Sequence, residues 1–576
     1  MDKDQVAQIL VDIGTLLELK GENPFKTRAY SNAARALQGL TEDLRVLVDE
    51  NRLRDVKGIG DAISKKITEL VTAGRLPYYD DLKKSFPPGI LELLKIPGMG
   101  PKKVKKLYEV LDIASIADLE KACQENRLSE LEGFGAKSQQ KILDGIAQIR
   151  KFSERHLFHV AAKAAVPLFE AVKKHPKIIR AELAGSLRRH KETIKDIDIV
   201  ASCKSKDRSA IMEHFVEQPG VQSVVAQGDT KSTVLLESGI QADLRLVDDK
   251  QFPYLLHHFT GSAEHNIAMR SLAQKQGIKV SEWGLFKGDK LIPCKDETAI
   301  FAKLGMQFVP PELREDAGEI EAAQANKIPE LIDAKEVRGV LHCHSTFSDG
   351  ANSIREMAEE CRRLGFQYLG ISDHSMSVAY ANGLQPKRVK EQHKEIDKLN
   401  AELKPFRIFK GTECDILTDG RLDYPEEVLA SFDFVVASIH SSMNMTEEQA
   451  TKRLIKAMEH PAVRILGHPT GRILLSRDGY PINHKQVIDA AATLGVSIEI
   501  NASPYRFDID WRFCRYAREQ GVLISINPDA HNLAGLADTF YGVGIARKGW
   551  LRKRDVLNTK TAAQLAKWFA SRAMQD

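Results

Sequence analysis

Between residues 340 and 531, short apolar segments recur, and each is followed by a side chain of a type that commonly binds metal ions. Segment 368–373 precedes His374, and segment 434–439 precedes His440. A helical stretch follows each segment. This alternation is typical of a β/α barrel, in which functional groups gather at the carboxyl ends of the strands. It predicts such a barrel from about residue 336 to the C-terminus.

Nine potential metal ligands lie at or just after the ends of these segments. His342 and His344 flank Cys343, so the two imidazoles share one strand face and the thiol points away. A single histidine at a strand end is more often a core residue, but nine ligands are hard to explain structurally. Mixed imidazole and carboxylate ligands suit Mn²⁺, Zn²⁺ or Fe²⁺, and this many could hold two or three ions. The nine are His342, His344, Asp349, His374, Glu413, His440, His468, Asp529 and His531.

A second candidate site lies at Asp196 and Asp198, which alternate with Ile197 and Ile199. In a strand, the carboxylates fall on one face and the isoleucines on the other. Asp-x-Asp alone is common in loops and exposed strands. Two carboxylates on one face nevertheless repel each other unless a cation lies between them, and Mg²⁺ binds through a few carboxylates plus substrate phosphates.

The residues that precede these aspartates strengthen the case for phosphate chemistry. A Gly185-Ser186 turn lets backbone N–H groups and a hydroxyl approach a phosphate. Arg188 and Arg189 follow, and a guanidinium grips phosphate oxygens in a fixed fork. Asp243 lies in the alternating strand 241–247 and is the candidate third carboxylate. Together these features predict a nucleotidyl-transfer site.

The N-terminal third contains an internal repeat of a Gly-x-Gly turn between helical stretches. The glycines allow a hairpin too tight for a Cβ, and the helix that follows exposes free N–H groups to a phosphate. A single copy is usually a plain turn between helices, but three copies, two of them followed by lysines, favour binding to the DNA backbone. The copies span 56–62, 96–102 and 131–137, with glycines at Gly58, Gly60, Gly98, Gly100, Gly133 and Gly135.

Periodicity predicts amphipathic helices over 5–20 and 24–38, and strands over 180–184, 196–201, 223–227 and 232–237. The 576 residues are enough for three to five domains, and 43% hydrophobic residues indicate a globular protein. The net charge of +4 gives no overall sign of nucleic acid binding. Seven cysteines without a CxxC pair predict a reducing compartment. With neither a signal-peptide pattern nor a long apolar run, we expect a cytoplasmic protein without a membrane span.

These motifs carry a resemblance to known families. Gly-Ser-x-Arg-Arg followed by Asp-x-Asp resembles the signature of family X DNA polymerases. The Gly-x-Gly copies resemble helix-hairpin-helix motifs of DNA-repair proteins. The nine ligands match, position by position, those of the PHP (polymerase and histidinol phosphatase) family. The chain as a whole resembles bacterial family X DNA polymerases with a C-terminal PHP domain.

The resemblance implies a multidomain fold with an all-α helix-hairpin-helix region, an α+β nucleotidyltransferase palm and a distorted TIM-like (β/α)7 barrel. The implied domains are a lyase-like domain at 1–80, a second hairpin domain at 81–150, the palm at 151–244, a nucleotide-selecting thumb at 245–315, a linker at 316–335 and the PHP domain at 336–576.

The resemblance also implies roles for single residues. Asp196, Asp198 and Asp243 would bind Mg²⁺ or Mn²⁺, and His342 and His344 would be catalytic in the PHP site with Mn²⁺ or Zn²⁺. For Asn266 and Arg270 an exposed helix face is the alternative, and His258 stands where the family often has tyrosine. The implied nucleotide-binding residues are Gly185, Ser186, Arg189, His258, Phe259, Gly261, Asn266 and Arg270.

Residues 1–80 resemble the lyase domain of DNA polymerase beta, in which the Schiff-base lysine aligns with Lys66. Crowding by Lys65 would lower the pKa of Lys66 and help it to attack a sugar aldehyde. A nearby family lysine is replaced here by Ala62, so Lys66 could instead only contact a 5′-phosphate. Arg472 and Arg506 are further candidates for binding substrate phosphate in the PHP domain, or else ion-paired or surface arginines.

The activities implied are template-directed filling of short DNA gaps in base-excision repair and a metal-dependent 3′→5′ exonuclease, with cleavage of abasic sites or 3′-end processing as further possibilities. The implied partners are gapped or nicked duplex DNA with a 5′-phosphate and dNTPs, with the protein a monomer. One alternative is a PHP domain that is a metal-stabilised scaffold without nuclease activity. A second is a template-independent nucleotidyltransferase.

Overall fold

The computed structural model describes residues 1–571 except positions 2, 39–43, 57, 88, 95, 97, 130 and 132, and it does not describe the side chains of 3, 4, 38 and 148–153. Lys57, Pro97 and Glu132, which belong to the predicted hairpin motifs, therefore lie outside the described residues. Contacts divide the chain into two compact units, Met1–Glu154 and Arg155–Asp576.

The first unit is helical in its described residues and has one apolar core. Its first two helices agree with the predicted 5–20 and 24–38, because Leu10 and Ile13 recur at helical spacing and are fully buried. The helices are Lys3–Lys20, Pro24–Gln38, Leu44–Asp49, Asp61–Ala73, Pro77–Lys84, Ile90–Leu93, Pro101–Leu111, Ile116–Gln124 and Ala136–Ser153.

The second unit begins with the palm, a five-stranded sheet in the stretch 155–250, which the structure describes without a gap. Each predicted palm strand is present within two residues of its expected bounds. The strand of the aspartate pair lies parallel to the strand of Asp243, and the other neighbouring strands are antiparallel. In spatial order the strands are Ile178–Leu183, Asp196–Cys203, Gln241–Val247, Lys231–Leu236 and Val221–Gln227. The palm helices are Phe158–Lys174, Gly185–Arg188 and Arg208–Val216.

The thumb follows with its own apolar core around Ile300 and Phe301. The stretch 316–335, predicted to be a linker, is folded onto that core through Ile320, Ala323 and Leu331. An acidic sequence that contains alanine suggests a polar linker. Ile320 and Ala323 nevertheless lie one turn apart on the same face of a helix, and both are buried. The thumb helices are Phe252–Thr260, Ala263–Lys275, Glu297–Lys303 and Glu319–Gln324, and its strands are Lys279–Ser281, Gly284–Lys287 and Lys290–Ile292.

The C-terminal part is a parallel barrel of seven strands within the continuously described stretch 336–571. Its strands neighbour one another in chain order, and a parallel bridge between Cys343 and Ala530 joins the first strand's end to the last. This confirms the predicted distorted (β/α)7 barrel. The strands are Gly339–Val340, Tyr368–Ile371, Arg407–Asp415, Phe434–Ser438, Val463–Leu466, Ser497–Asn501 and Ile524–Asn527. The helices are Ile354–Arg363, Pro386–Glu402, Glu426–Leu429, Glu447–Met458, His484–Leu494, Trp511–Glu519, Thr539–Lys548 and Ala562–Ala570.

All seven cysteines are described, and each is buried with a free thiol. Among the helices that the structure describes, none combines the length and apolar character that a membrane crossing needs.

Candidate active sites

The palm aspartates converge because two parallel strands place them in register. Asp198 pairs directly with Asp243 across the strands Asp196–Cys203 and Gln241–Val247. Ile197 and Ile199 point to the opposite face and are fully buried. The alternation seen in the sequence therefore fixes the carboxylates on one face of the sheet.

The electrostatics of this face call for a cation. Burial, together with the neighbouring carboxylates of Asp196 and Asp243, raises the pKa of Asp198 to about 7. A carboxyl group that is costly to ionise between two others becomes favourable to ionise when a divalent cation binds beside it. The three oxygen-donor side chains thus suit a divalent cation.

Two residues that sequence reasoning missed hold Asp243. Thr233 donates its hydroxyl to Oδ1 of Asp243 at 2.7 Å, and Nζ of Lys231 lies 2.8 Å from Oδ2. Both come from the adjacent antiparallel strand. The alternation of Lys231 and Thr233 in that strand was the available signal, but register with Asp243 could not be known without the fold.

The Gly185-Ser186 turn lies against the aspartates. Gly185 has a φ of +61°, and a Cβ at this position would overlap the Asp198 carboxylate. Only glycine is compatible with both the left-handed conformation and the close approach. The Ser186 hydroxyl is buried and has no hydrogen-bond partner among the described residues. An unsatisfied buried donor next in sequence to Gly185 is suited to a substrate oxygen.

The two arginines after this turn bind protein groups. Arg188 donates to the Thr260 hydroxyl at 2.6 Å and to Glu297 at 2.7 Å. Arg189 donates to Glu315 at 3.0 Å and also to the carbonyl of Thr260. The sequence suggested guanidinium groups on phosphate, whereas in the structure both arginines connect the palm to the thumb. A phosphate role for Arg189 would require it to share or leave these partners.

The remaining predicted nucleotide-binding residues gather at the end of helix Phe252–Thr260. Phe259 stacks under the Arg245 guanidinium at 3.9 Å, and Asn266 donates to the His258 carbonyl at 2.8 Å. Burial lowers the pKa of His258, so its ring is neutral near pH 7. Gly261 has a φ of +70°, which glycine adopts without strain. Arg270 is exposed on the following helix.

The barrel cluster is centred on Glu413. Its Oε1 lies 2.8 Å from Nε2 of His468, 3.1 Å from Nε2 of His440 and 3.3 Å from Nε2 of His342. Its Oε2 lies 2.9 Å from Nδ1 of His374. One buried carboxylate therefore contacts imidazoles from four different strand ends.

The other two carboxylates complete the cluster on one side of Glu413. Oδ1 of Asp529 lies 3.2 Å from Nε2 of His344. Oδ1 of Asp349 lies 3.5 Å from Nε2 of His531 and 3.7 Å from Nε2 of His374. The nine predicted ligands form four overlapping groups whose ligand atoms lie within 4.8 Å of one another. Among the described residues, every such group of three or more is in the barrel.

The carboxylates and imidazoles of the cluster shift one another's pKa values. Burial opposes ionisation of Glu413, but His440, His342 and His374 outweigh it and hold its pKa well below the ordinary range. Burial and the facing imidazole of His531 lower the pKa of His344 to about 3. Burial opposes protonation of His342, His440 and His531, but neighbouring carboxylates outweigh it and raise all three pKa values, to about 10 for His440 and about 9 for His531. A divalent ion would take the place of these protons, because metals bind neutral imidazoles and ionised carboxylates. The arrangement is compatible with divalent metal binding.

A second layer of polar residues orients these ligands. Oε1 of Glu499 lies 2.8 Å from Nδ1 of His342, whose Nε2 is buried without a hydrogen-bond partner among the described residues. The Asp415 carboxylate accepts the His440 backbone N–H at 2.9 Å, and Asn501 donates to Asp529 at 3.0 Å. A histidine that is oriented through one nitrogen and turns the other toward the cluster is typical of metal ligands. The signal for Glu499 and Asn501 was their alternation in the otherwise apolar strand Ser497–Asn501.

The two candidate phosphate-binding arginines differ. Arg472 contacts Glu192 at 2.5 Å and Asp510 at 3.2 Å and donates to two carbonyls, so it is ion-paired within the protein. Arg506 lies 3.7 Å from Asp529 and is partly exposed beside the cluster. Only Arg506 stands where a substrate of the cluster would come.

In the first unit, the hairpin glycines fit the predicted turns. Gly58, Gly98 and Gly133 have φ values of +101°, +82° and +91°. Gly60 and Gly100 immediately precede the helices Asp61–Ala73 and Pro101–Leu111. The start of each helix is therefore preceded by a turn that only glycine forms easily.

Lys66 lies in helix Asp61–Ala73, with Nζ 4.7 Å from the Tyr78 ring centroid. Burial and the charge of Lys26 lower its pKa. The direction agrees with the sequence expectation, but the crowding lysine is Lys26 and not Lys65. A lysine one position along a helix points away, while Lys26 approaches from another helix.

Comparisons with known proteins agree with this architecture. Models of a helix-hairpin-helix domain, a SAM-like helix-hairpin-helix tandem, a DNA polymerase beta thumb and a PHP domain match residues 1–76, 90–148, 255–315 and 341–503. A protein from Caldanaerobacter subterraneus named a probable phosphatase is 31% identical over 201 residues, which cover 33% of this chain and 74% of that protein.

A relative covers almost the full length of the chain. The Bacillus subtilis (strain 168) protein named DNA polymerase/3′-5′ exonuclease PolX is 42% identical over 565 residues, or 97% of this chain and 98% of that protein. The chain therefore belongs to the bacterial family X DNA polymerases that carry a C-terminal PHP domain.

Proposed function

We propose that this protein is a template-directed DNA polymerase that fills short gaps in DNA repair, and that its barrel is a metal-dependent 3′→5′ exonuclease. The observation that carries the proposal is the presence of two separate ligand sets in one unit. Three palm carboxylates share one sheet face against Gly185, and nine barrel ligands form one cluster. The full-length relative bears both activities in its name.

In the palm, Asp196, Asp198 and Asp243 would hold two Mg²⁺ or Mn²⁺ ions, which supply the charge that activates a primer 3′-hydroxyl and stabilises leaving pyrophosphate. Lys231 pairs with Oδ2 of Asp243 and would yield this oxygen to an ion. Ser186 would donate to a phosphate oxygen of the incoming nucleotide. The protein's contribution is mainly position and charge, as is general for phosphoryl transfer.

The thumb residues would contact the sugar and base. Asn266 fixes the end of helix Phe252–Thr260 through the His258 carbonyl, which presents Phe259 toward the palm. We propose that His258, Phe259 and Gly261 line the sugar and that Arg270, which is exposed, reaches the nascent pair. Gly185 and Arg189 would shape the phosphate side of the same pocket.

In the barrel, the nine ligands would hold two or three ions, Mn²⁺ or Zn²⁺, which supply hydroxide near neutral pH and stabilise the leaving oxygen of a phosphoester. His342 and His344 would be ligands at the centre of the reaction. Glu499 would fix the ring of His342, and Arg506 would contact the scissile phosphate. Such a site could also cleave abasic sites or remove 3′-blocking groups.

In the first unit, the three hairpins would bind the DNA backbone through Gly58, Gly60, Gly98, Gly100, Gly133 and Gly135, without reading sequence. The preferred substrate would be gapped or nicked duplex DNA with a 5′-phosphate, together with dNTPs. Lys66, with its lowered pKa, is the candidate for Schiff-base chemistry at an abasic site. We also propose that the protein has the predicted domain bounds, is a monomer and is located in the cytoplasm.

Single-nucleotide gap filling tests template direction. A duplex with a one-nucleotide gap and a 5′-phosphate is incubated with Mg²⁺ and one dNTP at a time. We expect addition of one nucleotide, at least about 100-fold faster for the complementary dNTP, because pairing positions it. Equal addition of all four dNTPs, continuing past the gap, would establish a template-independent transferase instead.

A further inference from the structure

A loop in the palm is contacted by side chains of the thumb segment and the barrel, in addition to its contacts within the palm. Loop 188–192 begins at the last residue of helix Gly185–Arg188 and leads through the short strand Thr193–Ile194 to the strand that carries Asp196 and Asp198. Arg189 and Lys191 both contact Glu315 at the end of the thumb, at 3.0 and 3.3 Å. The loop therefore depends on its neighbours for its position.

The barrel provides several of these neighbours. Glu192 contacts Arg472 at 2.5 Å. His190 packs so closely against Gly544 that a Cβ on this glycine would overlap the imidazole ring. Both barrel residues thus lie directly against the loop that precedes the catalytic strand.

The central contact is made by Lys548 at the end of the barrel helix Thr539–Lys548. Its side chain is completely buried. Nζ lies 2.6 Å from Oε1 of Glu315, and donates to the carbonyls of Arg189 at 3.1 Å and Glu312 at 3.2 Å. An ammonium group has three hydrogens, so all three are used, on residues of the palm and the thumb segment.

Both carboxylate oxygens of Glu315 take part in this network. Oε1 accepts from Lys548 and Arg189, and Oε2 lies beside Lys191. Burial opposes its ionisation, but Lys548, Arg189 and Lys191 outweigh it and lower its pKa to about 2. Removal of one cation leaves an unbalanced buried network, and such networks lose their defined geometry when partly satisfied.

We propose that Lys548 of the barrel is a positioning residue of the polymerase reaction: it fixes loop 188–192 and so sets the Ser186 hydroxyl and the Asp196–Asp198 strand in their reactive places. The barrel would then serve the polymerase site as well as its own. This inference rests on the proposed polymerase function. Displacement of reacting groups by about 1 Å can cost about 100-fold in rate, so the contact matters although it lies outside the site.

The test compares two lysine variants of the full chain. Lys548→Met keeps an unbranched side chain against Trp511, over which Nζ lies at 4.7 Å, but removes the three donors. We expect kcat for gap filling to fall about 10- to 100-fold, with the KM for dNTP changed less, and barrel exonuclease on single-stranded DNA within about twofold of wild type.

Lys553→Met is the matched control, because Lys553 makes an exposed ion pair with Glu336 at 3.2 Å in the same part of the chain. It should change neither activity. Wild-type gap filling by Lys548→Met, or an equal loss of both activities, would overturn the proposal. Should Lys548→Met not fold, Glu315→Gln carries the test: it must lower gap filling and spare exonuclease, and if it does not, the proposal is wrong.

Hydrogen exchange separates this inference from the proposed function. If wild type fills no gap, the proposed function fails, yet Lys548→Met should still speed amide exchange in residues 185–195 by about tenfold relative to Lys553→Met, because the loop would open locally. Unchanged exchange in that segment would overturn the inference whatever the activity.

Discussion

The two ligand sets of the second unit differ in completeness. The barrel brings six imidazoles and three carboxylates into one buried cluster, with further residues orienting them. The palm offers three carboxylates, of which Asp243 is already paired with Lys231. A complete set can hold ions without substrate, whereas a sparse set needs the phosphates of a bound nucleotide to complete the coordination. From this difference we propose that the barrel binds its metal without substrate and that the palm binds metal together with the nucleotide.

The largest expected effect comes from a substitution that disables the palm site alone. Asp198→Ala should lower the rate of gap filling by more than about 100-fold, because it removes a proposed metal ligand. Loss of a residue that only orients a ligand costs about 10- to 100-fold. Exonuclease activity should remain within about twofold of wild type. Primer extension and single-strand degradation in Mn²⁺ measure the two. A parallel loss of degradation would show that the sites are not independent.

The next largest expected effect is on the amount of metal that the protein retains. After gel filtration in metal-free buffer, wild type and Asp198→Ala should keep the same amount of bound transition metal, while His468→Ala should lose at least half. The reason is that His468 contacts the central Glu413, whereas the palm holds no three-ligand group among the described residues. Elemental analysis measures the content. Equal loss in Asp198→Ala and His468→Ala would contradict the assignment of resident metal to the barrel.

A smaller effect concerns the second layer of the barrel. Glu499→Gln should lower exonuclease activity about 10- to 100-fold, because the amide no longer fixes the tautomer of His342 as a carboxylate does. Gap filling should not change. Glu448→Gln, which alters an exposed ion pair with Lys452, is the control. Unaltered exonuclease in Glu499→Gln would remove this residue from the account of the site.

The smallest expected effect is on the stability of the protein in acid. It concerns the thumb, which belongs to the polymerase part of the chain. Burial opposes ionisation of Glu297, but Arg314 and Arg188 outweigh it and lower its pKa to about 2. Because the folded pKa lies below the ordinary value of 4.5, the stabilisation is complete above pH 4.5 and is lost as pH falls toward 2.

Glu297→Gln should therefore lower the thermal unfolding midpoint by several degrees at pH 7, and the difference from wild type should shrink at pH 3. Calorimetry of both proteins at the two pH values measures this, with Glu448→Gln again as the control. A difference that stays the same at pH 3 would refute the assigned ion pairs.

Sequence reasoning found the residues whose spacing encodes a strand face or a strand end. Asp196 and Asp198 alternate with isoleucines, and the barrel ligands follow apolar segments, so local pattern alone fixed their direction. The same alternation predicted the β/α barrel, whose strands neighbour one another in chain order in the structure.

Sequence reasoning could not predict contacts between segments that lie far apart in the chain. Arg472 was a candidate for substrate phosphate or for an ion pair, and the sequence could not show that Glu192 pairs with it or that Glu315 pairs with Arg189. Lys26 rather than Lys65 lowers the pKa of Lys66 for the same reason. Lys548 carried no local signal, because its role depends on a palm loop some 360 residues earlier in the chain.

The central claim is that separate sites extend and shorten the same DNA end. The most direct test follows one labelled primer on a gapped, 5′-phosphorylated duplex in Mn²⁺, with and without dNTPs, for wild type, Asp198→Ala and His342→Ala. The account predicts that Asp198→Ala only shortens the primer and that His342→Ala only extends it. If His342→Ala degrades the primer at the wild-type rate, or if Asp198→Ala abolishes degradation, the barrel is not an independent nuclease, and the scaffold interpretation replaces it.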